Sequence, residues 1–234
     1  MPTAILRPTI GNDGAGRCGR ALEEFATGRP VVLLDETWPG AGPASPDAHL
    51  VFAAELATPA TLAFAIRHTS GFVCVALPAQ ECDRLRLPPM YPTYDHAVRG
   101  SYTVTVDAVS GISTGISARD RARTIRLLAS AETVPADLAR PGHVVPCSVS
   151  DAQAQQPGNP AQTALAIAHL AGLRPASAFS ALVSDTARDQ IGGGLEVRQF
   201  AIRHGLAMIT THEVNRHLAS GDWRGRSGDS RLSG

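Results

Sequence analysis

The sequence predicts a single mixed α/β domain of the α+β kind, and three observations support this. Short apolar runs, typical of buried strands, recur between segments of helical periodicity. Their order is not the strict strand–helix–strand alternation of an all-parallel sheet. The chain has 234 residues, of which 44% are hydrophobic, so one domain can bury a sizeable core. No repeat or linker divides it.

The first half of the chain alternates helices and strands. Thr58 followed by Pro59 is typical of a helix start, because Thr caps the free N–H groups and Pro fits the first turn. Pro, Gly and Ala are dense in T-W-P-G-A-G-P-A-S-P-D-A-H after Glu36, which predicts a loop. The predicted elements are a helix over 18–28, strands over 29–35 and 50–55, a helix over 58–68, a strand over 71–77 and a helix from 78.

The second half continues in the same way. Residues 101–107 alternate in polarity and predict a strand, and Ser117 is the expected cap of an amphipathic helix over 117–129. The polar stretch 150–159 predicts a loop. The remaining elements are helices over 160–171, 194–204 and 211–218 and strands over 178–183 and 206–210. We expect a flexible N-terminus over 1–19, the domain over 20–218 and a disordered tail over 219–234.

Composition excludes several classes of function. The formal net charge is zero, so nothing favours nucleic acid or a membrane surface as a partner. No apolar run is long enough to cross a bilayer, and no signal-peptide pattern opens the sequence, so we expect a cytoplasmic protein. All 21 basic residues are arginine, and the lack of lysine excludes Schiff-base catalysis. The four cysteines form no C-x-x-C pair, which argues against structural zinc.

Several blocks, in order, resemble the 3,4-dihydroxy-2-butanone 4-phosphate synthase family. The combination of S-G-F-V-C, S-T-G-I-S-A-R-D-R and R-P-G-H-V is specific to it. The resemblance implies a single domain of the synthase type. It also implies a lyase that converts ribulose 5-phosphate to dihydroxybutanone phosphate and formate, uses magnesium, and builds its sites across a homodimer interface. The blocks lie at 31–35, 52–55, 66–76, 102–108, 113–124, 137–146, 170–176 and 197–210.

The chain departs from the family pattern at three places. Asp35 and Glu36 match the start of the family's acidic loop, but the rest of that loop is replaced, and Asp47 is only near its last acid. In the family's R-G-G-H-T-E-A motif, Pro157 stands for the phosphate-binding arginine and Pro160 for the metal-binding histidine. Ala181 stands for a glutamate in C-E-L. Because these side chains supply no hard donor atoms, we expect no cofactor and no magnesium site.

Other family positions are kept, and they give the candidate site. We expect catalytic roles for His143, Cys74 and Asp120; histidine is a common general base near neutral pH. Each has a plainer interpretation: a structural hydrogen bond for His143, a small core residue for Cys74, and a helix-start acid with a salt bridge for Asp120 and Arg121. Six of the other seven histidines, His49 among them, are interpreted as surface residues. The expected substrate-binding residues are Asp35, Glu36, Arg121, Thr114, Ser117 and Trp38.

Three functions remain open from the sequence. The losses favour a repurposed enzyme of specialised-metabolite biosynthesis, which performs metal-independent proton transfer, elimination or cyclisation on a non-phosphorylated substrate. The alternatives are a genuine synthase of riboflavin biosynthesis and a non-catalytic ligand-binding paralogue. In each case we expect a small-molecule ligand, a homodimer, and neither nucleic acid nor membrane as partner.

Overall fold

A computed structural model describes residues 14–36, 47–91, 101–187 and 189–220. These residues form eight strands, eight α-helices and one 3₁₀ turn. The elements are α1 (Gly14–Ala26), β1 (Val31–Asp35), β2 (Asp47–Ala53), α2 (Pro59–His68), β3 (Cys74–Pro78), α3 (Ala79–Arg84), β4 (Ser101–Tyr102), β5 (Val106–Ala108), α4 (Ala118–Leu128), the 3₁₀ turn Pro135–Asp137, β6 (Leu138–Val149), α5 (Asp151–Gln155), α6 (Pro160–Leu170), β7 (Ser177–Ala181), α7 (Gly194–His204), β8 (Met208–Thr210) and α8 (Thr211–Ser220).

A mixed sheet forms the centre of the fold. Seven strands lie in the order β4-β6-β3-β7-β2-β1-β8, and β5 pairs with β6 beside this path. The pairs β1–β8 and β3–β6 are parallel, whereas β1–β2, β2–β7, β3–β7, β4–β6 and β5–β6 are antiparallel. The predicted mixed α/β domain is therefore confirmed.

Helices cover both faces of this sheet. Along β1, Val32 and Leu34 belong to one core, which also contains residues of α2, α4 and α7. Val31 and Leu33 point to the other face and pack with residues of α1, α6 and α8. Because both faces are buried, the strands read as continuous apolar runs in the sequence. We call the second side of the sheet the α6 face.

Local capping chemistry explains several boundaries. Thr58 and Ser117 cap α2 and α4, as the sequence predicts, since each side-chain oxygen accepts a backbone N–H of the first turn. The polar stretch after residue 150 is not only a loop. Gln153 Oε1 accepts hydrogen bonds from the backbone N–H and the hydroxyl group of Ser150 at the start of α5. The single strand expected over 101–107 is divided into β4 and β5.

The ends of the described fold differ by a few residues from the expected domain. Helix α1 begins at Gly14, inside the segment expected to be flexible, and α8 ends at Ser220. Within the described ranges, none of the helices has the length and apolarity that crossing a membrane requires.

Candidate functional site

His143 and Asp107 form a hydrogen-bonded pair between β6 and β5. His143 Nδ1 lies 2.6 Å from Asp107 Oδ2, and the backbone N–H of His143 donates to Asp107 Oδ1 over 3.0 Å. Asp107 is buried, whereas the His143 side chain is 40% exposed. The carboxylate therefore fixes the ring through Nδ1, and Nε2 is the ring nitrogen left for proton exchange with a ligand. We call this pair the dyad.

Two glycines allow the backbone to approach the dyad closely. A Cβ at Gly115 would lie 2.1 Å from Asp107 Oδ2 and 2.8 Å from His143 Nδ1, and the φ of Gly115 is +85°. A Cβ at Gly142 would lie 2.0 Å from the carbonyl carbon of Val106. Any side chain at these positions would displace the pair, so the glycines of T-G-I-S and R-P-G-H serve the geometry of the dyad.

Asp120 holds the loop that covers the dyad. Its Oδ2 accepts hydrogen bonds from Ser113 Oγ at 2.8 Å, Ser113 N at 3.2 Å and Gly115 N at 3.2 Å. The hydrogen bond from the Ser113 hydroxyl, with the backbone donors, lowers the pKa of this buried carboxyl. Because the Asp120 carboxylate accepts these hydrogen bonds from the loop, its contacts give Asp120 a positioning role. The expected catalytic role stays a prediction.

Arg121 lies beside the same pair, in the first turn of α4. Its Nη1 donates to Gly71 O over 2.9 Å, and its Nε is buried without a hydrogen-bond partner in the described part of the chain. Burial lowers the pKa of the guanidinium, and the Asp107 carboxylate opposes this shift. Arg121 thus places a cation beside the dyad, while its expected contact with substrate stays a prediction.

A second polar cluster lies at the end of β1, where α6 and α8 begin. Asp35 is 3% exposed, and its Oδ1 accepts a hydrogen bond from Thr211 Oγ1 over 3.3 Å. Thr211 Oγ1 is in turn 3.3 Å from Thr163 Oγ1, which donates to Asn159 O. This Asp35 cluster joins the first strand to the N-terminal turns of two helices, and it includes one of the predicted site residues.

His49 extends this cluster along β2. It pairs with Leu33 of β1 and Ala181 of β7, and its Nδ1 is buried with no hydrogen-bond partner among the residues described. Burial lowers the pKa of the imidazole from 6.5 to about 4, although the nearby carboxylate of Asp35 opposes this shift. The interpretation of His49 as an ordinary surface residue is therefore wrong.

The start of α6 uses its polar side chains for capping. Asn159 Oδ1 accepts from Gln162 N at 3.0 Å, and Gln162 Oε1 accepts from Gly158 N at 2.8 Å. Pro160 occupies the first turn, and Asn215 Nδ2 donates to the carbonyl of Pro157. The amide oxygens that could contact a cation are thus already engaged with backbone N–H groups.

Cys74 lies in the core of the α6 face. It is 2% exposed and pairs with Val145 of β6 and Phe179 of β7. Contact with the Cys74 thiol, together with burial, raises the pKa of Cys147. These surroundings are those of a small hydrophobic residue, and the expected catalytic role of Cys74 stays a prediction.

The other predicted site residues lie in exposed positions or outside the described ranges. Thr114 and Ser117 are exposed on the loop before α4, and Ser117 Oγ accepts from Asp120 N. Glu36 is exposed after the end of β1. Trp38 lies outside the described residues. Their roles in binding stay predictions.

The dyad and the Asp35 cluster are separate in one chain. Strands β3 and β7 lie between β6 and β2 in the sheet. At a spacing of about 4.8 Å per strand, this places β6 and β2 about 14 Å apart. Sequence reasoning missed Asp107, His49 and Thr211. Only Asp107 lies in a block whose resemblance to the family could have identified it.

Known proteins match most of the chain. The family described as 3,4-dihydroxy-2-butanone 4-phosphate synthase matches residues 19–217. A riboflavin biosynthesis protein RibBA from Salinispora arenicola is 46% identical over 200 residues, which are 85% of this chain and 46% of that protein. The RibBA of Nocardia farcinica is 44% identical over 196 residues. The chain spans about half the length of these curated relatives.

Solved structures give the same family. A Candida albicans 3,4-dihydroxy-2-butanone 4-phosphate synthase superimposes with a TM-score of 0.77 at 32% identity, covering 86% of this chain and 96% of that one. A synthase in complex with two magnesium ions superimposes with a TM-score of 0.78 at 32% identity, covering 88% of this chain and 97% of that one. RibBX, a two-domain synthase from A. baumannii, superimposes with a TM-score of 0.76 at 29% identity, covering 85% of this chain and 56% of that one.

These relatives correct one expectation. The losses at Pro157, Pro160 and Ala181 predict a repurposed enzyme of specialised metabolism that acts on a non-phosphorylated substrate. That prediction is wrong, because the curated relatives at 44% and 46% identity are named riboflavin biosynthesis proteins. They favour the riboflavin alternative instead. Sequence, fold and solved structures agree that the chain belongs to the 3,4-dihydroxy-2-butanone 4-phosphate synthase family.

Proposed function

We propose that the chain is a 3,4-dihydroxy-2-butanone 4-phosphate synthase of riboflavin biosynthesis, a lyase that forms dihydroxybutanone phosphate and formate from ribulose 5-phosphate. The observation that carries this proposal is the 2.6 Å contact between His143 Nδ1 and Asp107 Oδ2. Breakdown of a ketose phosphate begins with removal of a proton from a carbon beside the carbonyl group. A histidine fixed by a carboxylate and open at its other nitrogen is suited to that step.

The dyad gives each residue a separate task. His143 takes the proton at Nε2 and becomes an imidazolium, while Nδ1–H donates to Asp107. The buried carboxylate stabilises that positive charge and fixes the ring orientation. The side chain of Asp120 keeps Gly115 against the dyad through the loop over 113–117. Arg121 adds a positive charge that favours an enediolate over the neutral ketose.

The described residues do not fit the magnesium ions that a solved relative contains. No group of three His, Cys, Asp or Glu residues in the described ranges could hold a metal ion. The side chains of Pro157, Pro160 and Ala181 supply no ligand atoms. In the proposed mechanism, the side chains of the dyad transfer the proton.

We further propose that the site is completed by a second copy of this chain. The dyad lies on β5 and β6, whereas the Asp35 cluster lies on β1 and is extended by His49 on β2. At ordinary strand spacing β2 and β1 are about 14 Å and about 19 Å from β6. In the proposed site, one chain supplies the dyad and its partner supplies the Asp35 cluster. Large apolar side chains are exposed at Phe72, Met90 and Tyr91, which are 53%, 54% and 72% exposed. Phe72 also contacts Tyr102, and such a patch is typical of a protein interface.

Complementation tests the proposed function in a cell. A riboflavin auxotroph that lacks its own synthase should grow without riboflavin when it carries this chain. The His143→Gln variant should not restore growth, because Gln cannot exchange a proton at the Nε2 position. His169→Gln is a matched control, since His169 is exposed in the last turn of α6. Failure of the unmodified chain, expressed in folded form, would contradict the proposal.

A second candidate is a non-catalytic ligand-binding paralogue. The observation in its favour is the absence of side-chain acid, base or cation at Pro157, Pro160 and Ala181. If the chain has this function, it should bind ribulose 5-phosphate and release no formate. The two functions are therefore separated by assaying binding and turnover on the same preparation.

A further inference from the structure

We propose that His68 and His204 form a pH-sensitive contact between α2 and α7, and that protonation of this contact shifts the loop over 69–71 beside the dyad. The inference does not depend on the reaction that the dyad performs. It concerns the C-terminal ends of two helices that pack on the side of the sheet opposite the α6 face.

Four aromatic rings pack together where these two helices end. The ring centroids of His68 and His204 are 4.9 Å apart. Phe64 lies 4.7 Å from His68 and 5.1 Å from His204. Phe200 lies 5.3 Å and 4.5 Å from the same two rings, respectively. At these distances the rings are in direct contact, so the two imidazoles meet within an otherwise apolar group of side chains.

The surroundings favour neutral imidazoles and disfavour two positive charges. Burial lowers the pKa of His68, and the neighbouring His204 lowers it further. The carboxylate of Asp185 opposes this shift, whereas Arg67 and Arg203 add to it. These charged groups come from α2, from α7 and from the loop before α7, where Asp185 also forms an ion pair with Arg203. The contact is therefore neutral above pH 6.5, and its stabilising contribution decreases as the pH falls below that value.

The chain connects this contact to the dyad within a few residues. Thr69 follows His68 at the end of α2, and its hydroxyl group donates to Ala65 O over 2.7 Å. The same hydroxyl oxygen accepts from Gly71 N over 3.2 Å. Gly71 O in turn accepts from Arg121 Nη1 over 2.9 Å, and Arg121 lies beside the dyad. A shift at the end of α2 would therefore move the backbone that holds Arg121.

Titration by NMR measures the contact directly. The ring protons of the histidines are followed from about pH 8 to about pH 4.5 in the unmodified protein and in His204→Phe, which keeps an aromatic ring and removes the charge. His212→Phe is the matched control, because His212 is exposed in the first turn of α8. We expect the pKa of His68 to be higher in His204→Phe than in the unmodified protein, and unchanged in His212→Phe. An equal pKa of His68 in all three proteins would overturn the inference.

Hydrogen exchange of the segment 66–76 tests the connection to the loop. Exchange is measured at about pH 7.5 and about pH 5, and it is expressed as protection relative to the intrinsic rate of each amide, which removes the direct effect of pH. We expect protection in the unmodified protein to decrease about threefold to fivefold at the lower pH, as expected for two like charges at this separation near solvent.

Two variants without the second charge should keep their protection at both pH values. His204→Phe preserves the packing of four rings, and His204→Gln checks the result with a polar side chain at the same exposed position. Equal decreases in the unmodified protein and in both variants would show that protonation of other groups moves the loop, and this would overturn the inference. Unchanged protection in the unmodified protein would overturn it as well.

Discussion

His49 on β2 lies directly opposite Ala181 on β7, so a partly buried imidazole lies next to the position where the family pattern has a glutamate. Its Nδ1 has no partner among the described residues. Nearby, Thr211 donates to the buried carboxylate of Asp35. This region therefore contains an imidazole, a hydroxyl group and a carboxylate, although Ala181 itself supplies no polar side-chain atom.

The first prediction concerns the pH dependence of stability. The folded pKa of His49 is lowered from 6.5 to about 4, so between these values the unfolded chain binds a proton that the folded chain does not. Folding stability is therefore full above pH 6.5 and falls as the pH decreases toward 4. We expect a loss of about 2 kcal/mol from this residue between pH 7.5 and pH 5.

Urea unfolding at both pH values measures this effect in the unmodified protein and in His49→Asn. The pKa values of His68 and His169 are also lowered. Both residues are present in both proteins, so their contributions to the change in unfolding free energy cancel when the two proteins are compared. The unmodified protein should lose more stability than the variant. Equal losses of stability in the unmodified protein and in His49→Asn would show that His49 is not protected from protonation.

A second prediction concerns the carboxylate of the dyad. Asp107→Asn should reduce formate release about 100-fold or more, because the amide cannot stabilise the imidazolium of His143 as a carboxylate does. Asp83→Asn is the control, since Asp83 is exposed on α3. Activity of Asp107→Asn within a factor of two of the unmodified protein would show that the pair is structural.

The third prediction concerns Gly115. Gly115→Ala combines a left-handed backbone with a Cβ 2.1 Å from Asp107 Oδ2. Gly172→Ala is a matched control, because Gly172 has a φ of +72° and a Cβ there would meet nothing within 4 Å. We expect the control to lose about 1 kcal/mol of stability from the backbone alone. Gly115→Ala should lose distinctly more, together with the activity. Equal unfolding midpoints for the two variants would argue against close packing on the dyad.

Much of the fold was predictable because its signals are local. Capping residues mark two helix starts, at Thr58 and Ser117, and an apolar run marks the buried strand over 31–35. The partner of His143 was not predictable in this way. Asp107 is 36 residues away in the sequence, and the two residues meet across a bulge between β5 and β6. The burial of His49 is likewise set by its neighbours on β1 and β7, which no local pattern reveals.

The fourth prediction concerns magnesium. In the described ranges no three acidic, histidine or cysteine side chains converge on one point, and the amide oxygens of Asn159 and Gln162 accept backbone hydrogen bonds. A calorimetric titration should therefore show no stoichiometric magnesium site at concentrations below about 1 mM. Tight, stoichiometric binding that Asp35→Asn abolishes would contradict this prediction and restore the metal to the mechanism.

The most direct test of the account is formate release from ribulose 5-phosphate by the purified protein. Formate and dihydroxybutanone phosphate should form in equal amounts. The rate should be about 10²–10⁴-fold below that of a synthase with the glutamate intact, because Ala181 removes one proton-transfer group. His143→Gln should fall to background, whereas His169→Gln should keep the unmodified rate. If the unmodified protein binds ribulose 5-phosphate and releases no formate, the Asp107–His143 dyad is not a catalyst of this reaction, and the chain is a ligand-binding member of its family.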